Sequence, residues 1–192
     1  MRRRLLFENR TFKKTDENNS EDYQLKSSND FDVEEFKRNL AINHNIIRIK
    51  HHVQPLKITT NLMNEAQRYA DHLAAMNNGL RHDPYNKDHG ENLYYGSFYK
   101  IPSEKELATS VIGRFYDEKK YYNYNLIRLS SYHRFGHFTQ MIWKSSTEFG
   151  IGVALKKVNR HNRIPRTRVF VVIRYNPEGN VLSEEDFKEN VL

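Results

Sequence analysis

The sequence predicts a mixed α+β domain in which helices come first and strands come late. Three observations carry this. Residues Asn61–Asn77 put Leu62, Ala66, Tyr69, Ala70, Leu73 and Met76 on one face at helical spacing. Ser103 followed by Glu106 is a capping-box pair that opens a further helix. Phe149–Val158 and Val169–Tyr175 are rich in Val, Ile and Phe, the residues that fit a pleated sheet. No strict strand–helix–strand alternation joins these elements, which favours α+β over a doubly wound sheet.

Taken in order, residues 1–32 are rich in Asn, Ser, Asp, Glu and Lys, with few apolar positions after Phe12. Such a segment cannot bury enough surface to offset its ordering entropy, and a disordered extension is expected there. The domain is expected over residues 33–192. From Glu34 to Lys50, apolar residues at Phe36, Leu40, Ile47 and Ile49 fit a first helix loosely. The helix over Asn61–Asn77 is expected to stop at Asn78-Gly79. A turn-rich passage follows. The helix opened by Ser103 then runs to about Tyr122, with Leu107, Val111 and Phe115 inward and Lys119 inward or flanking. Gly136–Trp143, GHFTQMIW, contains the sole tryptophan and reads as a short helix in which Phe138, Met141, Ile142 and Trp143 are core. Gly136 is expected to let the chain turn into it without a Cβ penalty. The two strands are joined by a basic loop, and no internal repeat is found.

A chain of 192 residues suffices for one well-buried domain with an extra segment and is short for two. It contains no cysteine. That excludes disulfides, Cys-based zinc or iron sites and a cysteine nucleophile, and it favours a reducing compartment. The opening MRRRLLFE has three apolar residues before Glu8, against the roughly 7–15 of an export signal. No apolar run approaches the roughly 18 residues of a spanning helix. Arg2 in place of glycine removes N-myristoylation as an anchor. The expectation is a soluble, cytoplasmic protein without a secretory signal. The net charge of +7 falls wholly within residues 34–192. Lys156, Lys157, Arg160, Arg163, Arg166 and Arg168 form a run without an acid. It reads as a solvated loop that also favours an anionic partner. No arginine–aromatic alternation or nucleic-acid motif accompanies it, so lipid is expected and nucleic acid is not.

Of nine histidines, His82 in GLRHD and His137 at the head of the tryptophan segment stand out. Two carboxylates are similarly placed, Glu91 in GENL and Glu118 in FYDEK. No local spacing links the four, and HExxH and His-x-His are absent. On these residues alone, histidines satisfied by backbone hydrogen bonds are the first reading.

GHFTQMIWKSS (136–146) resembles the signature of the superfamily of cysteine-rich secretory proteins, antigen 5 and pathogenesis-related 1 (CAP/SCP). His44-Asn45-Ile46-Ile47-Arg48 with Pro55-Leu56, Gly90-Glu91-Asn92-Leu93, and Phe170–Val181 match further elements in the expected order. Ile173 stands where secreted members keep a cysteine. The ending from Gly179 to Leu192 resembles the family's Golgi-associated branch, which is peripheral to membranes. The resemblance implies a three-layer α-β-α sandwich whose cleft carries His82, Glu91, Glu118 and His137. Three uses of that group stay open: binding a divalent metal such as zinc through His82 and His137, shuttling protons, or fixing the cleft as a polar network. The functional expectation is a non-enzymatic peripheral membrane module that takes an anionic phospholipid or a sterol. The alternatives are a metal-dependent hydrolase or protease using Glu91 and Glu118, and a protein-interaction scaffold, including a homodimer through the cleft face.

Overall fold

The computed structural model describes residues 30–159 and 164–192. The expectations for residues 1–29, and for Arg160 and Arg163, lie outside the described residues.

The chain forms α1 (Val33–Lys50), β1 (Lys57–Ile58), α2 (Thr60–Met76), β2 (Gly90–Phe98), α3 (Glu104–Tyr116), α4 (Gly136–Ile142), β3 (Glu148–Val158), β4 (Arg166–Asn176) and α5 (Glu184–Asn190). The packed chain already includes Phe31, buried against Phe36, and Asp32, whose carboxylate caps α1 at the Glu35 N–H. The capping box at Ser103 and Glu106 forms as read. The helix it opens ends at Tyr116, short of Tyr122, and a 3-10 turn over Asp117–Tyr121 continues it. The turn-rich passage contains β2, and α5 near the C-terminus was not anticipated.

The sheet order is β1-β3-β4-β2, with β4 antiparallel to both neighbours. Strand alternation divides the core into two. Val169, Val171, Ile173 and Tyr175 face a large cluster with Phe36 and Leu40 of α1, Leu107 and Val111 of α3, and Phe138 of α4. Phe170 and Val172 face Ala66, Ala70 and Leu73 of α2. These are the three layers. Helix α2 lies unusually close to β3, because a Cβ on Gly150 would sit 2.1 Å from the Leu62 carbonyl carbon and one on Gly152 2.2 Å from that of Ala66.

Helix α1 forms, but its apolar residues do not all turn inward. Ile49 is 59% exposed, whereas His44 and Arg48 are fully buried. Arg48 donates to the carbonyls of Gln54, Met141, Trp143 and Ser146 at 2.6–3.0 Å. A guanidinium there satisfies the carbonyls leaving α4, which no isoleucine could do. Trp143 is core, set edge-on to Phe187 of α5.

Candidate functional site

The structure joins the four cleft residues as two pairs. His82 Nδ1 lies 2.6 Å from Glu91 Oε1, and His137 Nδ1 lies 2.7 Å from Glu118 Oε1. The pairs flank the first residues of β2. Glu91 shares the α2 side of the sheet with Leu93, while Gly90 and Asn92 point to α4. A Cβ on Gly90 would lie 2.2 Å from Gln140 Oε1, and the Asn92 amide donates to the His137 carbonyl at 3.1 Å.

The first pair has an exposed imidazole on an anchored carboxylate. The His82 side chain is 70% exposed and that of Glu91 4%. Glu91 also accepts from the Asp83 N–H. Arg174, buried in β4, bonds Asp83 Oδ2 at 2.6 Å and faces Glu91 Oε2 at 3.1 Å, as an ion pair out of line for a hydrogen bond. The hydrogen bond to Glu91, reinforced by its charge, raises the His82 pKa above 6.5 against the opposing effects of burial and Arg174.

The second pair is built into a helix start. Phe135, which precedes α4, offers no side-chain cap. Glu118 supplies it from the 3-10 turn, accepting from the N–H groups of His137 at 2.9 Å and Phe138 at 3.4 Å. His137 stacks on Phe115 with the ring planes 7° apart. Gly136 is required by the Tyr132 ring, 2.9 Å from where its Cβ would be, more than by any turn conformation.

A cavity of about 360 Å3 opens beside the first pair, walled by His82, Glu91, Tyr132, Gln140 and Asn180. Tyr132 and Asn180 connect it to the second pair: the Asn180 amide donates to the Tyr132 hydroxyl and to the Gly136 carbonyl. Burial raises the Tyr132 pKa, and nearby Glu118 adds to the rise against the Asn180 hydrogen bond. A larger cavity of about 500 Å3 lies across Arg174, next to α2. Its charges of both signs offset one another, with His89 held by Glu65 at 3.0 Å.

The donor set offers a metal two imidazoles at most. Both Nδ1 atoms are engaged by carboxylates, leaving Nε2 on each ring. Among the described residues no three His, Asp or Glu side chains are grouped to hold an ion. A zinc site takes four protein ligands in a structural role and three in a catalytic one. The cleft does not fit a resident catalytic zinc.

The basic run is placed differently from a loop. Lys156 and Lys157 lie near the end of β3 and Arg166 and Arg168 near the start of β4, with Lys156 opposite Arg168 and Arg166 opposite Val158. Lys156 donates to the Ala75 carbonyl, and Arg168 to the Asn77 carbonyl and side chain, so both cations sit at the C-terminus of α2. Arg166 stacks on Tyr99, 3.9 Å from the ring centroid, and bonds its hydroxyl.

Sequence reasoning missed Arg174, Asn92, Tyr132 and Asn180. Arg174 had a signal: a lone charge ending an apolar strand run marks a buried ion pair.

Such a molecule is an α-β-α sandwich with two His–Glu pairs astride the start of an edge strand. A family model described as the cysteine-rich secretory protein family, CAP, matches residues 42–175. The human Golgi-associated plant pathogenesis-related protein 1 is 39% identical over 151 residues, covering 78% of this chain and 87% of that protein. Pathogenesis-related protein PRMS of Zea mays is 30% identical over 131 residues, covering 67% and 69%. Among solved structures, NaASP2 with Zn2+ superposes with a TM-score of 0.58 at 17% identity, covering 82% of this chain and 86% of that one. MpPR-1i does so at 0.54 and 18%, covering 82% and 96%. The chain belongs to the CAP family, and within it sides with the Golgi-associated pathogenesis-related branch.

Proposed function

We propose that the protein is a non-enzymatic module that attaches reversibly to anionic membrane surfaces on the cytoplasmic side, at the Golgi or another internal membrane. One observation carries this: at the hairpin end of the sheet, exposed apolar side chains stand among cations. Tyr99 is 63% and Ile164 71% exposed, and Met76 is also exposed. Lys156, Lys157, Arg166 and Arg168 lie on the strands beside them. Apolar tips with a basic surround match the acyl boundary and the headgroups of a membrane. At roughly 1 kcal/mol per basic residue near an anionic surface, this gives attachment that salt can reverse. Among the described residues no helix is long and apolar enough to cross a membrane. The name of the human relative agrees with the location.

The test is co-sedimentation with phosphatidylcholine vesicles, with and without phosphatidylserine. Binding is expected only to the anionic vesicles, and a Lys157→Glu/Arg166→Glu variant should lose most of it. Equal binding by that variant, or none by the wild type, overturns the reading.

A second reading rests on the two Nε2 atoms left by the carboxylate-held imidazoles. It makes the cleft an exchangeable site for a divalent cation such as zinc, with water in the remaining positions. The solved structure of NaASP2 with Zn2+, a neighbour in fold, supports this reading. Hydrolysis is disfavoured, because Glu118 is engaged by α4 and Glu91 by His82 and Arg174.

A further inference from the structure

Helix α2 stops before the sheet does. Its apolar face covers Phe170 of β4 and Ala154 of β3, with Tyr95 of β2 packed on Phe170 at 5.2 Å between centroids. The next positions on that side of the sheet, two residues further along each strand, are Arg168, Lys156 and Ser97, and then Arg166 and Val158, with Tyr99 just past the end of β2. They lie past the end of the helix. A cavity of about 270 Å3 forms there, walled by Ser97, Tyr99, Val158, Arg166 and Arg168 with Ile164 at the hairpin. Among the described residues no carboxylate lines it.

We infer that this cavity binds the terminal phosphate of a phosphomonoester, the headgroup of a lipid or its soluble counterpart. The two arginines occupy alternate positions of β4, their Cα atoms roughly 7 Å apart along the strand, and both guanidiniums are held before any ligand arrives. Tyr99 holds Arg166 by stacking and by a hydroxyl contact. Asn77, the left-handed C-cap of α2, holds Arg168 through Nη1. A guanidinium carries five N–H donors in a planar fork, so donation to Asn77 from one nitrogen leaves the others for a second acceptor. Ser97 adds a hydroxyl from the neighbouring strand, paired in register with Arg168. A terminal phosphate near neutral pH carries about −1.5 to −2 charge and three acceptor oxygens; a phosphodiester carries less charge and fewer free oxygens. A cavity of about 270 Å3 is of a size for a headgroup rather than a whole lipid.

For its lipid source the inference rests on the membrane reading above, and the experiment separates the two. Vesicles of phosphatidylcholine are doped either with phosphatidic acid, a phosphomonoester, or with phosphatidylglycerol, a phosphodiester, at equal net charge. In parallel, inorganic phosphate is titrated into the protein while the backbone amides of Ser97 and Arg168 are followed by NMR. The expected result is a preference of about tenfold for phosphatidic acid together with saturable amide shifts. Arg166→Lys and Ser97→Ala each erase most of the preference while leaving the α2 cap at Arg168 intact. Equal binding to both vesicle types, with no phosphate-dependent shifts, overturns the inference and leaves the membrane reading standing. Saturable shifts without vesicle binding support a soluble phosphomonoester and overturn the membrane reading instead. Neither vesicle binding nor shifts overturns both.

Discussion

Buried polar side chains in this protein are set by what they bond. His44 is fully buried, with Nε2 3.0 Å from the Tyr175 hydroxyl, and burial, aided by the Arg48 charge, pushes its pKa down to about 3. It folds as a neutral ring. Between that value and the ordinary 6.5 the unfolded chain binds the extra proton, so His44 makes stability fall as pH drops through this window. His82 works in the opposite sense. Its folded pKa is raised, mainly by the Glu91 hydrogen bond, so its contribution is full below 6.5 and is lost as pH rises through the folded value. Thermal melts across acid to mildly alkaline pH should separate the two. His82→Ala should lower Tm more at about pH 5.5 than at mildly alkaline pH. His44→Gln should flatten the acid limb of the wild-type curve. An unchanged acid limb in His44→Gln, or an equal His82→Ala effect at both pH values, would count against these assignments.

At the scale of elements, the decisive packing is α2 on β3. Gly150 and Gly152 lie in β3 on the side of α2, where the helix backbone occupies the space a Cβ would need. Backbone cannot rotate away as a flexible side chain can, so the added methyl forces helix and strand apart. Gly152→Ala is expected to destabilise by at least about 2 kcal/mol, within the range of overpacked cores. A control at Gly113, with nothing within 4 Å of its would-be Cβ, should be neutral or slightly stabilising, since alanine is the better helix former. Urea melts of the two variants measure the difference, and similar midpoints would show that α2 yields. The opposite, C-terminal end of the same helix borders the proposed phosphate cavity, because α2 stops before the face it covers does.

At the scale of the whole molecule, the His/Glu cleft and the hairpin end are separate sites. The cleft opens at the start of β2, and the basic cluster stands at its other end, where Ser97 and Phe98 pair with Arg168 and Thr167. Five residues of strand, 92–96, lie between Glu91 and Ser97. A His82→Ala/His137→Ala variant is therefore expected to lose any zinc uptake seen by calorimetry while binding anionic vesicles as the wild type does. A parallel loss of both would mean that the two sites act together, against the separation drawn here.

Much of this was legible in the sequence because it is local. The face of α2, the capping box at Ser103 and the two apolar strand runs arise from periodicity and short-range hydrogen bonding over a few residues. The family motifs also named His82, Glu91, Glu118 and His137, though no spacing explained how they meet. Only tertiary structure decided the rest. Arg48 went inside in place of Ile49 because its acceptors come from as far away as Ser146, 98 residues along the chain. β2 escaped notice because its glycines and polar residues hide a strand whose pairing is supplied by β4. Glu118 became a helix cap because α4 starts without one of its own. Amphipathic pattern is a property of a segment, whereas the partner of a buried polar group is a property of the fold, since its lost hydration must be replaced by whatever acceptor or donor the packed chain brings within reach.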